Sequence, residues 1–356
     1  MRTARRTTVG LVGLLLLGWG AWWLTRPSPG DGAAMRGAFA PLDTTLAGPW
    51  VPVATVADAA LELGRVTALD ARHDTLALSH PHGATLFVAG RLQFQVGDTT
   101  RGAPEYVGYG AAITLLDSGV VQLDQRGRGL IYRDWTGTRT RVRSLAGPKR
   151  FPRVLQMQRH GGHLLVTVLE EDAAAPAWWI WRVGPASTDT LFGPYARGAR
   201  SAAYRAPLLA VAPSGFTLVD ALDGRRYALD SAGRLRDSTP RADAPRLAIA
   251  AAQQQRLRQL TASLAEPLRL ATELDGYLPY AQQVGRAADG HLLVVSPDAD
   301  DASQVEILDP TGRPLARLFA QRDPWPLFAS DGTLFRVRES DDAYIIERLT
   351  LRLPRR

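Results

Sequence analysis

The chain contains no cysteine. That absence excludes disulfides, thiolate nucleophiles, zinc–cysteine and iron–sulfur sites, covalently attached c-type haem and a lipid-modified N-terminal cysteine. Lysine is almost missing as well, one residue against 41 arginines, a bias that reads as genome composition rather than phosphate recognition. No Walker A loop, dinucleotide fingerprint, zincin motif or nucleophile elbow is present. The net charge of +7 is mostly local: Arg2, Arg5, Arg6 and Arg26 hold four positive charges with no acid among them, leaving 38 basic against 35 acidic residues elsewhere. With no basic–aromatic array either, nucleic acid is not an expected partner.

At the N-terminus, Arg2, Arg5 and Arg6 precede an uncharged run from Thr7 to Thr25 whose apolar centre is Val9–Leu24, with Trp19, Trp22 and Trp23 at its far end. Basic residues before an apolar run favour leaving that end in the cytoplasm. Residues 1–26 are therefore expected to be an uncleaved signal anchor, a cleaved signal peptide being the alternative. The expected topology is single-pass in an inner membrane with the rest of the chain in the periplasm, or secreted after cleavage. Residues 27–57, rich in Pro, Gly, Ala and Thr, are expected to form a tether.

From residue 58 to 354 short alternating or β-branched runs are separated by Gly and Asp turns. Ala112–Leu116, Gly119–Asp124, Gly129–Asp134 and Thr138–Ser144 are four such runs joined by minimal turns, the content of one propeller blade. Similar groups begin near Asp74, Arg153, Leu208, His291 and Trp325, which makes six. The expected fold is thus all-β, a six-bladed β-propeller with one inserted helix at about 247–265. In that helix Leu257, Leu260 and Leu264 recur at i, i+3 and i+7. Core packing is its favoured role and partner docking the alternative. Ring closure needs the first and last strands to share a sheet, and the region of Leu61 and Leu63 is the expected source of the closing strand.

Arg101–Tyr106 (RGAPEY) resembles the Gly-x-Gly-Pro-Gly-Glu-Phe turn between blades of secreted bacterial six-bladed propellers of the NHL-like type, with Ala103 at the central glycine. Asp220–Gly224 followed by Arg225, Ser231–Arg234, and Asp309–Arg313 resemble the turn before an outer strand in that family. The resemblance spans roughly Leu61–Leu351. It implies a propeller and no particular activity, since fold does not transmit function.

No residue is assigned a catalytic role, and an enzyme is the less favoured class. His80 and His82, and His160 and His163, form short pairs; with His73 and His291 they read as polar turn residues. The acidic clusters Glu170–Asp172, Asp298–Asp301 and Asp341–Asp342 read as exposed turns, with Ca²⁺ ligation as the alternative if several loops converge. The run Trp178-Trp179-Ile180-Trp181 is more informative. On a strand, Trp179 and Trp181 share one face and Trp178 the other. These three residues are the candidate binding site, and wedging between blades is the competing role. No cofactor is expected beyond a Ca²⁺ ion in the alternative case. The expected function is an extracytoplasmic ligand- or protein-binding module at the membrane. Its rivals are a Ca²⁺-dependent propeller hydrolase or lyase, and a scaffold or sensor component of an envelope complex.

Overall fold

A computed structural model describes residues 35–57, 66, 68–80, 83–97, 112–123, 129–145, 153–170, 175–212, 214–241, 243–264, 266–287, 289–297, 303–321, 327–329, 331–340 and 343–353. Strands β1 (Met35–Arg36) and β2 (Ala47–Ala57) come first. Blade 1 is β3 (Ala68–Arg72), β4 (Thr75–His80), β5 (Gly83–Val88) and β6 (Arg91–Gly97). Blade 2 is β7 (Ile113–Leu116), β8 (Gly119–Leu123), β9 (Gly129–Arg133) and β10 (Arg139–Ser144). Blade 3 is β11 (Arg153–His160), β12 (His163–Glu170), β13 (Ala177–Val183) and β14 (Thr188–Tyr195). Blade 4 is β15 (Pro207–Ala212), β16 (Gly215–Asp220), β17 (Arg226–Asp230) and β18 (Leu235–Thr239). Next come β19 (Arg246–Leu247) and helices α1 (Ala251–Thr261) and α2 (Glu266–Thr272). Blade 5 is β20 (Gln283–Arg286), β21 (Leu292–Pro297), β22 (Ser303–Leu308) and β23 (Pro314–Gln321). Blade 6 takes β24 (Leu327–Phe328), β25 (Leu334–Ser340) and β26 (Ala343–Leu351), with β2 as its fourth, outermost strand.

The side-chain alternation of a strand explains the ring. In β21, Leu292 and Val294 join the core shared with blade 4, whereas Leu293 and Val295 join the core shared with blade 6. In β4, Leu76 and Leu78 face blade 6 and Ala77 faces blade 2. A strand buried on both faces has no polar side to show, so these segments are continuous apolar runs. Six cores result, one per neighbouring pair of blades, and the sixth joins Phe335 and Ile346 of blade 6 to Leu69 and Phe87 of blade 1. The innermost strands touch in succession from β3 around to β24 and back to β3. The six-bladed propeller is closed.

Polar side chains stitch the inner strands. Asp70 of β3 accepts hydrogen bonds from the Leu115 amide (2.8 Å) and Thr114 Oγ1 (3.0 Å) of β7. Gln156 of β11 donates to the Leu209 carbonyl (3.0 Å) and accepts from its amide (2.8 Å), capping backbone groups of β15. Such bonds leave fewer buried backbone groups orphaned where blades meet.

Several expectations are corrected. Among the described residues no helix is long and apolar enough to cross a membrane; α1 and α2 have 11 and 7 residues, and a span needs about 20. The expected propeller preceded by a membrane or signal helix is corrected to a propeller with an inserted helical segment, and the membrane as partner and the single-pass inner-membrane placement find no spanning helix among the described residues. Residues 1–26, on which those expectations rested, lie outside the described residues. Residues 47–57 form strand β2 where composition suggested a tether, and β2 supplies the closing strand expected near Leu61 and Leu63, which also lie outside the described residues. The inserted helix expected at about 247–265 is α1, which a second helix, α2, follows, and within α1 Thr261 alone is buried. Leu264 reaches the core while Leu260 is 36% exposed, so core packing does not describe α1.

Candidate functional site

Successive blades are joined most elaborately between blades 4 and 5, where residues 240–282 carry β19, α1 and α2 instead of a minimal turn. Long crossings on a rigid support are where binding residues concentrate. The N-terminal arm joins this crossing, because β1 pairs with β19 in antiparallel register.

The crossing is fixed by arginines. Arg241 makes a bidentate pair with Glu306 of β22, both bonds at 2.8 Å, and both side chains are withdrawn from solvent. Tyr280 Oη donates to Glu306 Oε2 (2.8 Å) and accepts from Arg241, whose guanidinium lies 4.8 Å from the ring centroid. The Ala40 amide of the arm completes the carboxylate's shell at 3.3 Å. Burial, then the charge of Glu306, raises the Tyr280 hydroxyl well above its ordinary range, so it stays a proton donor. Further along, Arg246 forms a bidentate pair with Asp275 (2.8 and 2.7 Å) and donates to the carbonyls of Leu278 and Tyr277. Glu273 binds Arg200 and Arg269, and Ser201 Oγ donates to the Glu273 carbonyl.

Beside this frame lies an acidic cluster at the end of β16. Asp220 accepts the Tyr195 hydroxyl proton on Oδ2 and the amides of Leu222 (2.8 Å) and Asp223 (3.2 Å) on Oδ1. Arg205 lies 3.6 Å from Asp220 and pairs more closely with Asp223. Burial first, and the Asp223 charge second, raise the Asp220 carboxyl, while Arg205 and these hydrogen bonds pull it back. Tyr195 packs edge-on to Tyr227 with centroids 5.5 Å apart. Tyr204, buried nearby with Leu222, has its hydroxyl pushed up to about 12 by burial. Asp220 itself is sealed, whereas Arg205 and Asp223 reach the surface at about a third exposure, so this cluster can present charge but not a reacting carboxylate.

Above this base α1 stands out into solvent. Its residues Ala251, Ala252, Gln255, Arg256, Arg258, Gln259 and Leu260 are exposed, and it carries no acid. A helix with most of its surface exposed, on a base held by two bidentate arginine pairs, is the geometry of a presented recognition element.

The structure places the tryptophans between blades. Trp178 is buried with Leu169, Ala206 and Leu208, its indole donating to the Ala202 carbonyl at 2.8 Å. Trp179 and Trp181 are half-buried against the core of blades 2 and 3. Gly193 sits over Trp179 with φ +128, and a Cβ there would come within 2.7 Å of the ring. The three rings thus lie in two different blade junctions and do not converge.

His80 is buried with Nε2 3.1 Å from Thr85 Oγ1, and His160 opposes His163 across a hairpin. Among the described residues no group of three or more His, Asp or Glu is arranged to hold a metal. His82, residues 171–172, 298–301 and 341–342, and the RGAPEY segment lie outside the described residues. Sequence reading missed Arg241, Glu306, Tyr280 and Arg205, and read Asp220 only as the start of a turn. Arg241 and Glu306 are 65 positions apart, and no local pattern links them.

No known protein family matches the chain, and no curated protein matches it. Among solved structures, a putative exported protein from Bacteroides fragilis is similar with TM-score 0.53 and 10% identity, over 88% of this chain and 99% of that one. A DUF4221 family member from Bacteroides vulgatus gives TM-score 0.48 at 8% identity, covering 91% and 99%. Regucalcin from Agrobacterium tumefaciens, a calcium-binding protein, gives 0.45 at 17%, covering 90% and 97%. At these identities the first likeness is one of fold alone.

Proposed function

We propose that the protein is a binding scaffold that engages a macromolecular partner through α1 and the rim formed by Arg205 and Asp223. The observation that carries this reading is that α1 exposes seven of its eleven residues and covers only the face of Gln253, Gln254, Leu257 and Thr261, on a base fixed by Arg241–Glu306 and Arg246–Asp275. Binding is favoured over catalysis because these charged groups are occupied in internal bonds and Asp220 is sealed from solvent. We further place the chain among NHL-like propellers, on the strength of the Asp230–Arg234 and Asp309–Arg313 turns, each of which precedes an outer strand.

The test is affinity capture with the whole chain, comparing the unmodified protein with Arg256→Glu/Leu260→Asp and with a control, Leu92→Asp, on the exposed edge of blade 1. The expected result is a set of partners lost with the α1 variant and retained with the control. Identical capture by all three proteins, with unchanged unfolding midpoints, rules α1 out as the contact.

A further inference from the structure

The outer edge of blade 2 carries three arginines and no acid. Strand β10 reads Arg139-Thr140-Arg141-Val142-Arg143-Ser144 and is the terminal strand of its sheet, exposed at every position except Arg143, which is half-buried. Among the described residues no strand pairs with its outer side. Arg133, Arg139, Arg141 and Arg143 have no carboxylate within ion-pair distance among the described residues. Arg141 donates to the Pro185 carbonyl (3.2 Å) and lies 4.1 Å from the Tyr132 ring centroid, and Arg143 donates to the Gly184 carbonyl and Thr188 Oγ1. Carbonyls and hydroxyls orient a guanidinium without neutralising it. Asp134, in the turn before β10, is turned onto its own turn, accepting from the amides of Thr136 (2.9 Å) and Thr138 (3.0 Å).

The outer edges of blades 3 to 6 are covered, blocked or balanced, and that of blade 1, β6, carries a single arginine. On blade 5 the N-terminal arm adds to β23 as a parallel segment: the Arg317 amide donates to the Pro41 carbonyl (2.8 Å) and the Asp43 amide to the Arg317 carbonyl (2.9 Å). The molecule thus already accepts an extended segment on one outer edge. On blade 6, β2 carries Pro49 and Pro52, which cannot donate. On blade 4, β18 sets Arg236 beside Asp237, and on blade 3 β14 places Asp189 opposite Arg182.

We propose that β10 is a docking edge for an extended acidic polypeptide, which adds to blade 2 as a fifth strand with carboxylates opposite Arg141 and Arg143 on one face and opposite Arg139, which a β-bulge sets on the other face. This surface is separate from α1. The outer backbone groups along Arg139–Arg143 can be paired by another backbone, and opposite charges directly across a strand pair are favourable. A second copy of β10 is disfavoured because it would set arginine against arginine. Arginines on an edge also guard against unspecific pairing, so the device selects by sign.

The test uses the full chain and a fluorescein-labelled peptide of repeating glutamate-glutamate-valine, which carries carboxylates on both faces of a strand, read by fluorescence anisotropy. Comparison probes are the same peptide N-methylated at alternate amides, a lysine–valine peptide, and a single-stranded oligonucleotide of equal charge. The expected result is binding of the first peptide alone, weakening with salt. Arg139→Gln/Arg141→Gln/Arg143→Gln should weaken it about tenfold, from a few-fold per charge pair. Arg139→Gln, which removes no hydrogen bond described here, should weaken it a few-fold if the triple variant unfolds. Equal binding of the N-methylated peptide overturns edge pairing; tighter binding of the oligonucleotide makes the surface a phosphate site instead; unchanged affinity in both variants moves the site elsewhere.

Discussion

Burial decides which charged pairs of this protein matter. Arg241 and Glu306 are 6% and 0% exposed at their side chains, and removing one partner leaves a charge without compensation in the interior. Glu306→Ala is expected to cost about 3–5 kcal/mol in urea unfolding, and Arg241→Met/Glu306→Leu to recover much of it. The Arg72–Asp117–Arg159 bridge joins three blades but lies in solvent; although its arginines hold Asp117 down to about 2, its contribution to stability is small. Acid dependence follows from two carboxyls of opposite sign. Burial works against ionised Asp275, but the Arg246 hydrogen bonds and charge outweigh it and hold the carboxyl below its usual range. Stability from that pair is complete above the ordinary carboxylate range and is lost as pH falls through the depressed value. Asp220 is raised, so its contribution is present at low pH and is lost as pH rises through its raised value. Urea midpoints followed from neutral pH to about pH 3 should therefore fall less steeply for Asp275→Asn than for the unmodified chain. None of these residues was legible in the sequence. A buried ion pair reads like any surface pair until the fold brings its halves together, whereas the tryptophan run was visible because adjacent aromatics on a strand must find two faces.

The strands and their turns were the most legible elements. Asp230 and Asp309 each accept the amide of the residue four positions on, at 2.9 and 3.0 Å, and a left-handed glycine follows at Gly233 or Gly312. Asp134, Thr136 and Gly137 build the same turn in blade 2, legible as a turn in sequence but not as a member of this set because Thr138 stands where the other two have arginine. Asp220–Arg225 looks alike in sequence but joins the second and third strands of blade 4 rather than preceding an outer one. Strand β2 was misread because Pro49 and Pro52 suggest a tether; an outermost strand tolerates proline, since one side of its backbone has no partner. Helix α1 is legible in the spacing of Leu257, Leu260 and Leu264, which reports a stripe and not how deeply each residue is buried. Gln255→Pro should therefore abolish the α1 contribution to far-ultraviolet circular dichroism while shifting the urea midpoint of the propeller little. A large loss of overall stability would mean that α1 packs more firmly than its exposure indicates.

At the scale of the whole molecule, six meanders bury both faces of every sheet only if the last meets the first. Blade 6 achieves this by recruiting β2, whose register against β26 runs from Ala47 opposite Leu351 to Ala57 opposite Ala343. Ala54 and Val56 of β2 enter the core that seals blade 6 against blade 1. The count of six was readable from turn spacing, because period-two runs and glycine turns are local. The closing strand was not, because its partner lies about three hundred residues away and no local pattern records it. The most direct test exploits the absence of cysteine: Val51→Cys/Arg348→Cys places the only two thiols on directly opposed residues of β2 and β26. Mild oxidation of the folded protein should form this disulfide in nearly every molecule, seen by non-reducing peptide mapping, and should raise the urea midpoint. Val51→Cys/Arg143→Cys, which pairs β2 with another blade's edge, should stay reduced. Failure of the first pair to cross-link in folded protein would contradict the closed ring.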